Sequence, residues 1–285
     1  MNKKFLITGA TGFVGRQIIL NLLNKNIKIK VIVRKAKKNF FKNKNIEVII
    51  TDNLFNKNTN WWRKQCKGID TVIHAAWYTE PGKYLKSQKN IECLIGSLNL
   101  AKGAVEAGIK RFIGIGTCFE YDLNKKKLSV DTPLKPNSVY GSSKVALFKF
   151  LSQWLPEQSV SFSWCRLFYL YGEGEDERRL VPYIHKCLKK NIKVELTRGN
   201  KIRDYLNISD AGRIITEISL KNHNGPINVC SGVPISVKQL AQKIADSYGK
   251  RYLLKFGAKP DNATDPSCVI GVPNIKLKYN KKNFL

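Results

Sequence analysis

A chain of 285 residues, 43% hydrophobic and 25% charged, is long enough for one large core or for one core and a smaller lobe. Its formal net charge is +29, but the 39 lysines run through nearly every segment and the densest clusters lack aromatics at stacking spacing, which sets nucleic-acid binding aside and leaves attraction of anionic small molecules. No stretch approaches the ~20 apolar residues of a membrane span, and seven scattered cysteines without a C-x-x-C pair argue against a disulfide framework or a zinc site and for a reducing cytoplasm.

The first predicted strand, 5–8, runs into Thr8-Gly9-Ala10-Thr11-Gly12-Phe13-Val14-Gly15, and an amphipathic helix follows through Ile18, Ile19, Leu22 and Leu23. In such a turn Gly9 makes the tight bend, Gly12 leaves room for a phosphate against the backbone, and Gly15 brings the helix close to the strand. The helix start offers free N–H groups and a positive dipole end to an anion. The segment is read as a dinucleotide-binding turn, with Thr11, Phe13 and Val14 beside its three glycines.

Apolar runs at 29–33, 46–50, 71–74, 111–115 and 160–165 read as further strands, with helices between them, notably at 88–107 and 141–154. The strands are rich in Ile and Val and do not alternate, as strands buried on both faces should be. The expected fold class is α/β, a Rossmann-type doubly wound parallel sheet with a smaller C-terminal substrate-binding lobe. The second strand ends at Arg34-Lys35, where an acid would take the adenine-ribose hydroxyls; a cation suits a 2′-phosphate, so NADP(H) is favoured, with NAD(H) as the alternative. After about residue 166 the rhythm loosens, with helical segments at 178–190, 209–220 and 236–248 and short strands near 193–196, 203–206 and 226–230. Residues 1–165 are therefore expected to form the dinucleotide-binding domain and 166–285 the smaller lobe, across a soft, interleaved boundary, with the last dozen residues a tail.

Tyr140 and Lys144 stand four apart at a helix start, which puts them on one face. A neighbouring ammonium favours the phenolate and would lower the phenol's pKa into acid–base use. In so lysine-rich a chain the spacing alone means little, and Tyr121…Lys125 repeats it in what reads as a polar loop. Context favours Tyr140, which opens a helix with Val145, Leu147, Phe148 and Leu151 on its apolar side. Thr117, ending the run Ile113-Gly114-Ile115-Gly116, would add a hydroxyl at the carboxyl edge of the sheet.

The glycine turn, His74-Ala75-Ala76, Thr117, Tyr140…Lys144, Arg166-Leu-Phe-Tyr-Leu-Tyr-Gly172, the segment Gly199–Asp210 and Pro226–Gly232 occur in that order. Together they resemble the extended short-chain dehydrogenase/reductase family, in its NAD-dependent epimerase/dehydratase branch that acts on sugar nucleotides. The resemblance implies that Tyr140 passes the proton, that Lys144 binds the nicotinamide ribose and that Thr117 orients the reacting sugar oxygen. Asp52, Asn53, Ala75 and Ala76 would line the cofactor; Cys118, Phe119, Tyr169 and Arg203 would face the substrate, with Arg203 on its nucleotide portion. No metal is implied. The acid pair that the branch's dehydratases carry after the threonine is replaced by Cys118-Phe119. The expected activity is NADPH-dependent reduction of the keto group, at C4, of a nucleotide-linked 4-keto-6-deoxyhexose in surface-polysaccharide sugar biosynthesis. A nucleotide-sugar 4-epimerase using NAD and a non-catalytic NADP-binding sensor are the alternatives. The resemblance also implies a homodimer, through the helical faces at 91–105 (Ile91, Leu94, Ile95, Leu98, Leu100) and 145–154 (Val145, Phe148, Leu151, Trp154).

Overall fold

The computed structural model describes residues 3–37, 39–262 and 265–276; the C-terminal tail expected from the sequence lies, from 277 onward, outside them. Strands β1 (Lys4–Thr8), β2 (Lys28–Val33), β3 (Ile46–Ile50), β4 (Thr71–His74) and β5 (Arg111–Thr117) alternate with helices α1 (Phe13–Leu23), α2 (Thr59–Cys66) and α3 (Lys89–Glu106). Then come β6 (Lys127–Leu128), α4 (Val139–Glu157), β7 (Ser161–Leu167) and β8 (Tyr169–Tyr171). The remainder holds α5 (Leu180–Lys189), β9 (Val194–Leu196), β10 (Ile202–Asn207), α6 (Ile208–Leu220), β11 (Gly225–Val229), β12 (Pro234–Ser236), α7 (Val237–Asp246), β13 (Leu254–Phe256) and β14 (Cys268–Gly271).

Seven strands form one parallel sheet in the order β11-β7-β5-β4-β1-β2-β3, the Rossmann-type doubly wound arrangement read from the sequence. The strand order reverses between β1 and β4, the switch point beyond whose carboxyl ends such sheets bind ligands. All seven residues of β5 are buried, which explains its lack of alternation. On one face Ile18, Ile19 and Leu22 of α1 and Ile214, Ile215 and Ile218 of α6 cover Phe5, Ile7 and Val31. On the other, Trp62, Leu100, Leu147 and Leu151 of α2, α3 and α4 cover Leu6, Val72 and Phe112. Each such fully buried aliphatic side chain stabilises the fold by about 1.5–3 kcal/mol.

The smaller lobe is centred on β10, which pairs with β8, β12 and β14, while β6 adds to β14. Helices α5 and α7 pack Ile184, Leu188, Leu240 and Ile244 against Val194, Leu196 and Tyr205. Segments 1–165 and 166–285 interleave in space: α6 and β11 complete the large sheet's layers, and β6 belongs to the small sheet. Strands β6, β8, β12, β13 and β14, of two to four residues each, were not read from the sequence. On the helical faces expected to pair subunits, Leu100, Val145 and Leu151 turn out to be core; the outward apolar side chains are Ile91 and Ile95 of α3 and Phe150 of α4. Among the described residues no helix is long and apolar enough to cross a membrane, and all seven cysteines are free and buried.

Candidate active site

The β1–α1 turn lies at the switch point. Gly9 has φ +69°, and a Cβ on it would stand 2.6 Å from the backbone of Ala75 and Ala76, at the end of β4. A Cβ on Gly15 would run into the Gly9 carbonyl. Both positions therefore require glycine for close backbone approach. Gly12 is exposed and caps α1 without any side-chain hydrogen bond, which leaves the first-turn N–H groups for an outside acceptor. That open cradle fits the pyrophosphate of a nicotinamide dinucleotide.

His74 fastens the floor of this cradle. Its Nδ1 stands 2.7 Å from Thr8 Oγ1 and its Nε2 stands 2.7 Å from Ser97 Oγ. Ser97 donates to the Cys93 carbonyl at 2.6 Å, and the Ala76 N–H donates to Thr8 Oγ1 at 3.3 Å. One proton arrangement serves all four groups: Thr8 donates to Nδ1, and Nε2–H donates to Ser97. Burial, with the Lys144 charge second, pushes the imidazole down to about 3, so it is neutral. Arg34 and Asp52 are exposed at the ends of β2 and β3. The Asn53 side chain is engaged locally, accepting the Phe55 N–H at 3.0 Å.

Thr117, Tyr140 and Lys144 meet at the carboxyl end of β5, and all three are buried. Ser138 caps α4 by accepting the Gly141 N–H at 3.1 Å. Gly141 lies so close to the Phe119 carbonyl that a Cβ would stand 2.6 Å from it, and this approach sets Tyr140 against Thr117. The Thr117 hydroxyl hydrogen-bonds the Tyr140 phenol, whose ring packs edge-on against Tyr84 at 4.9 Å and Trp77 at 6.5 Å. Lys144 donates to the Ile115 carbonyl at 2.7 Å and lies on the Trp77 ring. The sequence expectation that the ammonium lowers the phenol is overturned. Burial holds Tyr140 above the ordinary phenol range, Thr117 offsets only part of that, and the same burial pulls Lys144 down to about 7.

Among the residues expected to face the substrate, Tyr169 packs against Phe119 at 6.3 Å ring to ring, and the Arg203 guanidinium lies 5.2 Å from its ring centroid. Arg203 is buried and donates to Asp265 at 2.7 Å and to the Ile202 carbonyl at 2.8 Å. Beyond Asp265 a cavity of about 660 Å³ opens, with Asn124, Arg198, Asn200 and Lys201 among its walls. Cys118 is buried and its thiol is pushed up to about 12. The two C-terminal motif segments also meet: Asp204 accepts from Ser231 N and Oγ at 2.7 and 2.6 Å, from Gly232 N at 2.8 Å and from Gly271 N at 3.0 Å.

Several site residues were missed from sequence. Glu120 is fully buried and accepts from Thr117 N at 2.8 Å, Trp164 Nε1 at 3.0 Å and Arg166 Nε at 2.6 Å. The capping-box spacing Thr117-x-x-Glu120 was its available signal. Burial raises the Glu120 carboxyl and Arg166 opposes this. Tyr121, placed in a polar loop from sequence, is fully buried; it accepts from Arg166 at 3.0 Å and donates to Asn228 at 2.7 Å. Trp77 and Tyr84 had no periodic signal, and Arg179 joins them by hydrogen-bonding Tyr84. Among the described residues no group of three His, Cys, Asp or Glu could hold a metal ion.

Comparison with known proteins places this geometry. The model of the NAD dependent epimerase/dehydratase family matches residues 5–230. The chain is 25% identical over 274 residues to a dTDP-6-deoxy-L-talose 4-dehydrogenase (NAD(+)) of Aggregatibacter actinomycetemcomitans, covering 93% of this chain and 98% of that one. It is 25% identical over 300 residues to a CDP-abequose synthase of Salmonella typhimurium, covering 98% and 93%. A UDP-N-acetylglucosamine 4-epimerase structure from Methanobrevibacter ruminantium superposes with a TM-score of 0.85 at 21% identity, covering 99% of this chain and 94% of that one.

Proposed function

The chain belongs to the NAD dependent epimerase/dehydratase family, and we propose that within it the protein reduces the C4 keto group of a nucleotide-linked 4-keto-6-deoxyhexose. The observation that carries this reading is the Thr117–Tyr140–Lys144 cluster, beside which the described residues place no free acid or base. Cys118 holds its proton, Phe119 has none to give, and the Glu120 carboxylate is taken by Thr117, Trp164 and Arg166. Such a site suits hydride transfer coupled to one proton, not elimination of water. When bound, a nicotinamide dinucleotide supplies the hydride. Gly9, Thr11, Gly12, Phe13, Val14 and Gly15 would hold its pyrophosphate, Arg34 an adenine-ribose phosphate, Asp52 and Asn53 the adenine, and Ala75, Ala76 and Lys144 the nicotinamide half. Tyr140, kept protonated by burial, gives its proton to the sugar oxygen that Thr117 orients, and that oxygen becomes a hydroxyl. Cys118, Phe119 and Tyr169 would line the sugar, and Arg203 would meet the diphosphate.

The dehydrogenase relative supports chemistry at C4 of a 6-deoxy sugar nucleotide, and its name also carries NAD(+). Arg34 at the end of β2 favours NADPH. A 4-epimerase is the second reading, favoured by the similarity to the epimerase structure. The outward Ile91, Ile95 and Phe150 support a homodimer through α3 and α4, and the seven free thiols support a reducing compartment, the cytoplasm. The test is to incubate the protein with NADPH or NADH and a panel of 4-keto-6-deoxy sugar nucleotides while following nicotinamide absorbance. Oxidation of NADPH by at least one substrate is expected, and Tyr140→Phe should slow it by about 10²-fold or more with cofactor binding retained. Interconversion of 4-epimers without net cofactor turnover would overturn the reductase reading.

A further inference from the structure

Lys144 is a fully desolvated cation whose one hydrogen bond among the described residues goes to the Ile115 carbonyl. Two indole rings also face it: the Trp77 ring centroid lies 3.7 Å from Nζ and that of Trp164 5.8 Å. Trp77 is itself clamped. Its indole N–H donates to Asn90 Oδ1 at 2.8 Å, and the fully buried Asn90 amide donates to the carbonyls of Tyr84 at 2.7 Å and Ser87 at 2.8 Å. An indole face is the strongest aromatic partner for an ammonium, most of all out of water.

We propose that Trp77 is a positioning residue, carrying the Lys144 ammonium on its indole face and keeping that lysine charged and in place one turn from Tyr140. The proposal rests on the role given to Lys144 above. The ionisable groups that act on Lys144 are Glu120 after β5 and Cys93 on α3, which favour its charge; His74 on β4 is neutral, and Tyr140 shares its helix. Burial pulls the lysine toward neutrality, to about 7, so loss of the indole face should move its titration further down.

The first test needs no turnover. An ammonium against an indole quenches its emission, so the tryptophan fluorescence of the intact protein is titrated from about pH 5.5 to about 9. A step centred near neutrality is expected, and it should vanish in Trp77→Phe and in Lys144→Met. A histidine signal would survive Lys144→Met. If Lys144→Met does not fold, Lys144→Arg, charged throughout this range, must also lose the step. No step in the unmodified protein, or the same step in a folded Lys144 variant, overturns the proposal. In the reductase assay, Trp77→Leu should move the high-pH limb down by about one unit and lower kcat more than it raises KM. A role in packing alone would lower Tm and leave the limb in place, which also overturns it. Absence of turnover with every sugar nucleotide would sink the reductase reading without touching the fluorescence result.

Discussion

A histidine held between two hydroxyls with its proton on Nε2 cannot accept a second proton without losing the Thr8 hydrogen bond and charging a dry site. In the unfolded chain the same imidazole protonates near pH ~6.5, whereas in the folded protein it does so only near about 3. The unfolded state therefore binds the extra proton between those values. Its contribution to stability is whole above pH ~6.5 and is lost as the pH falls, by up to about 1.4 kcal/mol per pH unit. His74→Asn should flatten the stability–pH slope measured by urea unfolding between about pH 6 and about 4; an unchanged slope would place the acid sensitivity elsewhere. Tyr140 follows the same logic with opposite sign: desolvation penalises the phenolate, so it keeps its proton and acts as a donor.

At the scale of the element, the β1–α1 turn is the most demanding segment. Gly9 combines a left-handed backbone with contact against Ala75 and Ala76, so a methyl group has no direction in which to go. Gly9→Ala should abolish cofactor binding and lower the unfolding midpoint, read by nicotinamide fluorescence titration and thermal melting. Retained affinity would mean that the three segments can separate without losing the cradle. Helix α4 was legible because Tyr140 and Lys144 open it and its apolar side runs through Val145, Leu147, Phe148 and Leu151. The burial of Tyr121 was illegible. Its neighbours Asp122 and Lys125 read as loop, while its partners Arg166 and Asn228 lie 45 and 107 residues away.

At the scale of the whole molecule, two features follow from how the layers close. Helices α3 and α4 cover one face of the sheet and still present Ile91, Ile95 and Phe150 to solvent, the apolar side chains that the proposed dimer would cover. Ile95→Lys should convert the proposed dimer to a monomer in light scattering while the melting curve keeps its shape; a monomer before substitution would refute the pairing. The charge of +29 acts at longer range. Attraction of the proposed sugar-nucleotide substrate, an anion, is screened over a Debye length of about 8–10 Å, so the apparent KM in the reductase assay should rise with ionic strength.

Legible in the sequence alone were the parallel sheet, the glycine turn after β1 and the chain order of the proposed catalytic residues. Each is written in local grammar: short apolar runs, glycine spacing and positions four apart on one helix. The sequence also carried Glu120, in a capping-box spacing that went unread. The tertiary structure alone decided the environment of those residues. It brought Trp77 from the β4–α3 loop onto Lys144, set Tyr84 against Tyr140 and tied Arg203 to Asp265. It also returned α6 and β11 to the large sheet. Protonation follows from the water and charge excluded around a group, and those are set by segments far apart along the chain. That is why spacing could name Tyr140 and Lys144, while their packing alone holds the phenol above its ordinary range and draws the ammonium below its own.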